Sequence, residues 1–388
     1  MEKTWRWFGK NDVITLDMLR QIGVEGIVTS LHDIKNGDSW SSENILEIKN
    51  YIESHGLRWS VVESLPVSES IKYGGTDRDI LIKNYKTSLE NLSKAGIKTV
   101  CYNFMPVIDW IRTDLNYKLP DGTITLFFDK IRFAYFDCFI LKRHGAEKDY
   151  TQEEMQQVLE LDKTITAEEK NELIQTIIVK TQGFVNENFK NNANEPVELF
   201  RKLLALYDGI DKNQLRANLK YFLEQVIPVA EKWGVNLCIH PDDPPFSVLG
   251  LPRIVTCEED ISWFLNAVDS PNNGLTFCAG SLSAGTHNNV TDLALKFASR
   301  THFVHLRSTE LLDNGNFREA SHLSGNADLV ELVRIFTKEN RNLPMRVDHG
   351  KLMLDDDNTK HNPGYSFYGR MYALAQVSGI MAAVNKGL

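Results

Sequence analysis

The stretch that decides the fold holds four runs, Asn236-Leu-Cys-Ile-His240, Gly274-Leu-Thr-Phe-Cys278, Thr301-His-Phe-Val-His-Leu-Arg307 and Met345-Arg-Val-Asp348. Each is short and mostly apolar. Each carries at or near its end a residue of metal-ligating type, and His240, Cys278, His305 and Asp348 recur 38, 27 and 43 residues apart. That interval is the length of one strand-plus-helix unit. If the runs are consecutive parallel strands of a closed barrel, the four side chains arrive at one rim, where such barrels carry their active sites.

Taken singly, His305 reads as a hydrogen-bonded core histidine and Cys278 as a buried apolar residue. Asp348 differs, because a carboxylate after Met-Arg-Val is costly to bury without a cation or hydrogen bonds. Recurrence on four successive units is what points to a metal. Two imidazoles, a thiolate and a carboxylate suit Mn²⁺, Fe²⁺, Co²⁺ or Zn²⁺ better than Mg²⁺ or Ca²⁺. A barrel mouth favours an ion with open positions for substrate over a closed structural tetrahedron.

Outward from these runs, strand-like and helix-like segments alternate along nearly the whole chain, the pattern of a parallel sheet covered by helices. Strands are expected at Thr4 to Phe8, Gly26 to Ser30, Arg58 to Ser64 and Ile97 to Phe104. Helices are expected at Ser41 to Ser54, with Ile45, Ile48 and Ile52 on one face, and at Asp79 to Lys94. Further helices near Thr15 to Gln21, Leu215 to Lys232, Glu258 to Ala267, Val290 to Ser299, Leu329 to Glu339 and Ser366 to Val384 complete eight of each. The fold expected is an α/β (β/α)8 barrel, one domain over residues 1–388. Its spacing breaks once, where about 130 residues separate Phe104 from Asn236. Charged, helix-favouring sequence there predicts a helical insertion at approximately 130–210, between strands 4 and 5. It would serve as a lid or as a contact in a homo-oligomer, a dimer.

A net charge of −9 leaves no global basic footprint, so a nucleic-acid partner is not expected. Hydrophobic residues make up 42% and charged residues 24%, the profile of a globular protein with a large core. No apolar run approaches a membrane span and the first residues lack the apolar stretch of a signal peptide, so a cytoplasmic location is expected. Five cysteines form no CxxC pair. The pairs Gly74-Gly75 and Ala279-Gly280 follow no phosphate-loop spacing, so no nucleotide site is expected.

The runs Thr4-Trp-Arg-Trp-Phe-Gly9, Cys238-Ile-His-Pro-Asp-Asp-Pro-Pro245, Phe277-Cys-Ala-Gly-Ser281, Phe303-Val-His-Leu-Arg307, Arg346-Val-Asp-His-Gly350 and Pro363-Gly-Tyr-Ser366 together resemble the mannonate dehydratase family of hexuronate (glucuronate) degradation. The resemblance spans nearly the whole chain. It implies a xylose-isomerase-like barrel, a Mn²⁺ or Fe²⁺ cofactor, and dehydration of the aldonate D-mannonate to 2-keto-3-deoxy-D-gluconate. It also implies metal ligation by His240, Cys278, His305 and Asp348 and catalysis by His349 and Tyr365. A sugar isomerase or epimerase on the same metal-dependent barrel is the alternative.

The chemistry asks for these residue types. Dehydration removes the C2 proton and the C3 hydroxyl, and needs an acid and a base. His349 follows Asp348 directly and is expected to turn toward the rim; an imidazole titrates near neutrality and suits either task. Tyr365 precedes the last helix and offers a phenol that can donate or relay a proton. Arg307 is a candidate for the substrate carboxylate because its planar fork matches carboxylate geometry. His322 and Asn103 are candidates for hydrogen bonds to sugar hydroxyls.

Overall fold

The computed structural model describes residues 1–182, 195–340, 342–357 and 359–387. Among the described residues twelve strands are formed. The first six are β1 (Glu2–Arg6), β2 (Gly26–Thr29), β3 (Arg58–Glu63), β4 (Thr99–Tyr102), β5 (Asp114–Lys118) and β6 (Ile124–Phe128). The others are β7 (Asn236–Ile239), β8 (Asn273–Cys278), β9 (Thr301–His305), β10 (Thr309–Leu311), β11 (Phe317–Glu319) and β12 (Pro344–Arg346). Eight of them close a parallel barrel in the order β1-β12-β9-β8-β7-β4-β3-β2. All eight expected barrel strands are present, some shorter than the sequence suggested, and neighbours in sequence are neighbours in space.

Alternation along the strands sorts the core into two zones. Val28, Val61, Cys101, Cys238 and Phe303 point inward and pack together as a plug inside the barrel. The opposite faces, such as Trp5 and Trp7 on and after β1, pack outward against the helices. On β9 the inward series Phe303, His305, Arg307 climbs from this plug toward the rim. The Phe303 ring stands edge-on beneath His305 at 4.7 Å between centroids.

The covering helices start and stop where local chemistry dictates. In Ser42–Ser54 the Ser41 hydroxyl caps the Asn44 amide, and Gly56, at φ +74°, lets the chain turn back into β3. Helix Lys212–Trp233 begins on an Asp211 cap and ends at left-handed Gly234. Thr151 with Glu154, and Thr166 with Glu169, form capping boxes on helices Gln152–Thr164 and Ala167–Ile174 of the insertion.

The stretch between β4 and the expected insertion is not helical. Before the insertion's helices, the chain forms the β5–β6 hairpin, and β6 pairs antiparallel with β11 from the loop after β9. With β10 this makes a four-stranded sheet, β10-β11-β6-β5, built from the loops that follow β4 and β9. Phe128, Phe317 and Phe133 pack beneath it, the first two stacked at 5.0 Å. Residues 183–194 of the expected insertion lie outside the described residues.

Candidate active site

His240 follows the last residue of β7, Cys278 ends β8 and His305 ends β9, so three adjacent strands deliver three side chains to one point. One ligand atom from each lies within 4.8 Å of the other two. The His240 Nε2 and His305 Nδ1 atoms face each other at 3.2 Å. On the far side of the His240 ring, Nδ1 lies 2.7 Å from the Pro241 carbonyl oxygen, to which it can only donate, leaving Nε2 free for a cation. The Ser281 hydroxyl donates to Cys278 Sγ at 3.1 Å.

The charges favour a cation at this point. Burial alone would raise the Cys278 thiol, but the Arg307 guanidinium and the His240 ring reverse this and hold it well below the usual thiol range. Burial would lower His240, but the adjacent Cys278 sulfur overrides it and lifts the ring to about 10. A thiolate facing an imidazole that retains its proton is a site where a divalent ion displaces that proton. The donor set, two imidazoles and a thiolate with a carboxylate beside them, matches a transition ion.

Asp348, two residues beyond β12, stands at the edge of this group. Its Oδ2 is 3.8 Å from Cys278 Sγ and 3.7 Å from His305 Nδ1. Arg307 Nε donates to Oδ2 at 2.6 Å and Arg346 Nη1 to Oδ1 at 2.5 Å. Burial would raise the carboxyl, but Arg346, His349 and Arg307 hold it well below the carboxylate range.

These two arginines belong to a buried network that reaches the second sheet. Arg307 Nη1 donates to Glu319 at 2.6 Å and Nη2 to Asp243, while Arg112 bridges the same two carboxylates at 2.7 and 2.8 Å. Arg346 also donates through Nη2 to Glu63 Oε1 at 3.0 Å. All three guanidiniums are almost fully buried. Removing one partner of such a pair costs about 3–5 kcal/mol, because the other charge stays buried. The network therefore fixes its members tightly. Arg307, the sequence's candidate for the substrate carboxylate, has all three of its nitrogens on protein carboxylates in this network.

One cavity opens above these groups, lined by Arg6, Glu63, Asn103, Trp110, His240, Asp243, Arg307, Arg346, Asp348, His349 and Tyr365, with Ser64 and Asp109. His349 is only 5% exposed, its Nδ1 3.1 Å from Glu319 Oε1, so it faces into the cavity and not out to solvent. Burial would raise Glu319, and Arg307 and Arg112 hold it instead at about 2, an anion able to orient the imidazole. Tyr365 stands edge-on to His349 at 5.3 Å and to Phe8 at 5.0 Å. Burial pushes its phenol well above the ordinary range, keeping the proton on. Asn103 lines the cavity and donates to Asp109 at 2.5 Å. His322 is buried but does not line it.

Sequence reasoning missed Glu63, Arg112, Asp243 and Glu319. Glu63 ends β3 just as Cys278 ends β8, a signal that was present. Asp243 stood within the quoted His-Pro-Asp-Asp run without a role. Arg112 and Glu319 lie off the barrel strands, where no periodicity marks them.

A closed parallel barrel that gathers at its C-terminal rim a His-Cys-His group able to hold a metal ion, and a polar cavity lined by His349 and Tyr365, has the xylose-isomerase-like (β/α)8 fold with its candidate site where such barrels carry active sites. A xylose isomerase domain protein from Planctomyces limnophilus, 8% identical with a TM-score of 0.50 over 100% of this chain and 96% of its own, shares the fold alone. The family model described as D-mannonate dehydratase matches residues 1–388, and the chain belongs to that family. It is therefore an enzyme of the lyase class. It is 47% identical over 398 residues to the mannonate dehydratase of Marinomonas sp. (strain MWYL1), covering 100% of both chains. Identity is 44% to that of Chromohalobacter salexigens, over 100% of this chain and 99% of the other. The crystal structure of mannonate dehydratase from Streptococcus suis serotype 2 matches with a TM-score of 0.78 at 35% identity, over 100% of this chain and 95% of the other.

Proposed function

We propose that the cavity binds D-mannonate and eliminates water from it, giving 2-keto-3-deoxy-D-gluconate for hexuronate catabolism. The observation that carries the reading is the meeting of the His240–Cys278–His305 group with Asp348, His349 and Tyr365 at one cavity in a chain of this family. His240, Cys278 and His305 would hold a divalent ion, with Asp348 beside them. Mn²⁺ or Fe²⁺ is the metal that the family resemblance implies; the thiolate among the donors speaks for a transition ion over Mg²⁺ or Ca²⁺. Such an ion supplies Lewis-acid stabilisation of the negative charge that gathers on the substrate's oxygens when C2 loses its proton.

The residues of the chain divide the proton work. His349 sits on Glu319 through Nδ1, which leaves Nε2 to take the C2 proton, and the anion behind the ring stabilises the imidazolium that results. Tyr365 keeps its phenolic proton because burial opposes the phenolate, so it is suited to protonate the departing C3 hydroxyl. Arg307 and Arg346 hold Asp348 in place, and Asn103 is placed to bond a sugar hydroxyl. The β5–β6 hairpin and β10–β11 cover the site and limit water, which strengthens each of these interactions.

Among the described residues, no helix is long and apolar enough to cross a membrane. A homodimer in the cytoplasm remains part of the proposal, and sedimentation of the purified chain tests the dimer. The activity is tested by incubating the protein with aldonates and with aldoses. Only dehydration yields a 2-keto-3-deoxy acid; interconversion of sugars without loss of water would favour the isomerase or epimerase reading instead.

A further inference from the structure

The cavity holds one guanidinium that the buried network does not use. Arg6 ends β1, and alternation along Thr4-Trp-Arg-Trp places Thr4 and Arg6 inward while Trp5 and Trp7 pack outward. The side chain is 5% exposed and lines the cavity. Among the described residues its Nη1 has no hydrogen-bond partner, and no carboxylate is in salt-bridge contact with it. The other cavity arginines differ: Arg307 binds Asp243, Glu319 and Asp348, and Arg346 binds Glu63 and Asp348. Arg6 leans only on the Phe8 ring, its Cζ 5.3 Å from the centroid, and Phe8 in turn meets Tyr365.

A buried cation without an anion is costly, and a buried donor without an acceptor adds to the cost. Both are relieved by a ligand that brings a carboxylate into the cavity. We infer that Arg6 binds the carboxylate of the substrate and sets the enzyme's preference for sugar acids over neutral sugars. The inference rests on the dehydratase reading for which acid is bound, and it gives Arg6 the role that the saturated donors of Arg307 cannot fill. Its position agrees with the chemistry, since anchoring the C1 carboxylate at Arg6 keeps the adjacent C2 and C3 within the cavity that His349 and Tyr365 also line. Burial also pulls the Arg6 guanidinium below its ordinary range, only partly offset by Glu63, as expected where the compensating anion comes with the ligand.

The test uses the full chain loaded with Mn²⁺ and compares an acid with its uncharged isostere. In the wild type, R6Q and R6K, kcat/KM is measured for D-mannonate and Ki for D-mannonamide as a competitive inhibitor, with metal content and thermal melting recorded. R6Q should lose about 10–100-fold in kcat/KM for D-mannonate, the scale of one charge-assisted hydrogen bond, with Ki for the amide changed less than about threefold. R6K, which keeps the charge and loses the fork, should fall between, and it carries the comparison if R6Q does not fold. Parallel losses for acid and amide would show a structural residue and overturn the inference, as would unchanged discrimination. If the wild type does not turn over D-mannonate, the dehydratase reading fails by itself. Calorimetric binding of a panel of aldonates and their amides then decides on Arg6: a preference for acids that R6Q abolishes upholds the inference, and its absence overturns it.

Discussion

Gly280 is where the network can be perturbed without touching any of its charges. It follows Cys278 by two residues, and a Cβ added there would stand 2.3 Å from Cγ and 2.5 Å from Nε of Arg307. Carbon atoms rest at about 3.5–4.0 Å, so Gly280→Ala requires a shift of roughly 1 Å. The contact is near the root of the Arg307 side chain, and its head is tied to Asp348, Glu319, Asp243 and Ser281. No free rotation absorbs the shift. At least one of these bonds must lengthen, and a charge-assisted bond is worth about 1.5–3 kcal/mol. The variant should therefore lose about 2–3 kcal/mol of stability, about 2–4 °C in melting temperature for a chain of this size. Asp348 moves with Arg307, and a displacement near 1 Å at a positioned group costs about 100-fold in turnover. Thermal melting and steady-state kinetics with D-mannonate, in metal-loaded protein, measure both. Wild-type kcat with wild-type melting would refute the claim that Arg307 is rigidly fixed by its carboxylates.

The metal group and the acid–base pair should separate cleanly in variants. Cys278→Ala or His305→Ala should abolish activity and most of the bound divalent ion; full metal content and activity by elemental analysis and assay would remove that residue from the ligands. His349→Ala and Tyr365→Phe should keep the ion and lose kcat more than KM, since proton transfer belongs to the transition state. Loss of the ion in the first, or a normal kcat in the second, would break the pair. His302, on the outer side of β9, has its ring lowered to about 4, by burial first and by Arg300 as well, against a bond to the Pro271 carbonyl that works the other way. The unfolded ring titrates near 6.5, so as pH falls from about 6.5 to 4 the unfolded chain takes up a proton that the folded one refuses, and stability falls by at most about 3 kcal/mol. His302→Gln should flatten that part of the stability profile in chemical denaturation at a series of pH values. An unchanged slope would contradict it.

What could be read from the chain tracks how local each determinant is. The barrel strands were legible because a strand that buries one face alternates, and Thr301 to Arg307 shows Phe303, His305 and Arg307 on the inner face as expected. Helix ends were legible from caps and glycines. The second sheet was harder: β10 and β11 are three residues each, too short for a period to show. Its hairpin did carry a signal, Pro120-Asp-Gly122 between β5 and β6, with Gly122 at φ +86°. The network was the least legible part. Arg112 and Glu319 meet from positions 207 apart, and nothing local in either segment marks the partner. Arg307 drew attention through its strand position, while its saturation by three carboxylates became visible only once those distant segments were brought together.

The central claim is that this chain removes water from D-mannonate with the help of an ion held by His240, Cys278 and His305. The most direct measurement is turnover of D-mannonate by purified protein stripped with a chelator and then reconstituted with Mn²⁺ or Fe²⁺, the product being identified by mass and by its 2-keto-3-deoxy chemistry. The account predicts no turnover in the stripped protein, recovery on adding the ion, and 2-keto-3-deoxy-D-gluconate as the product. Undiminished activity in fully stripped protein, or metal-restored protein that leaves D-mannonate intact, would contradict it.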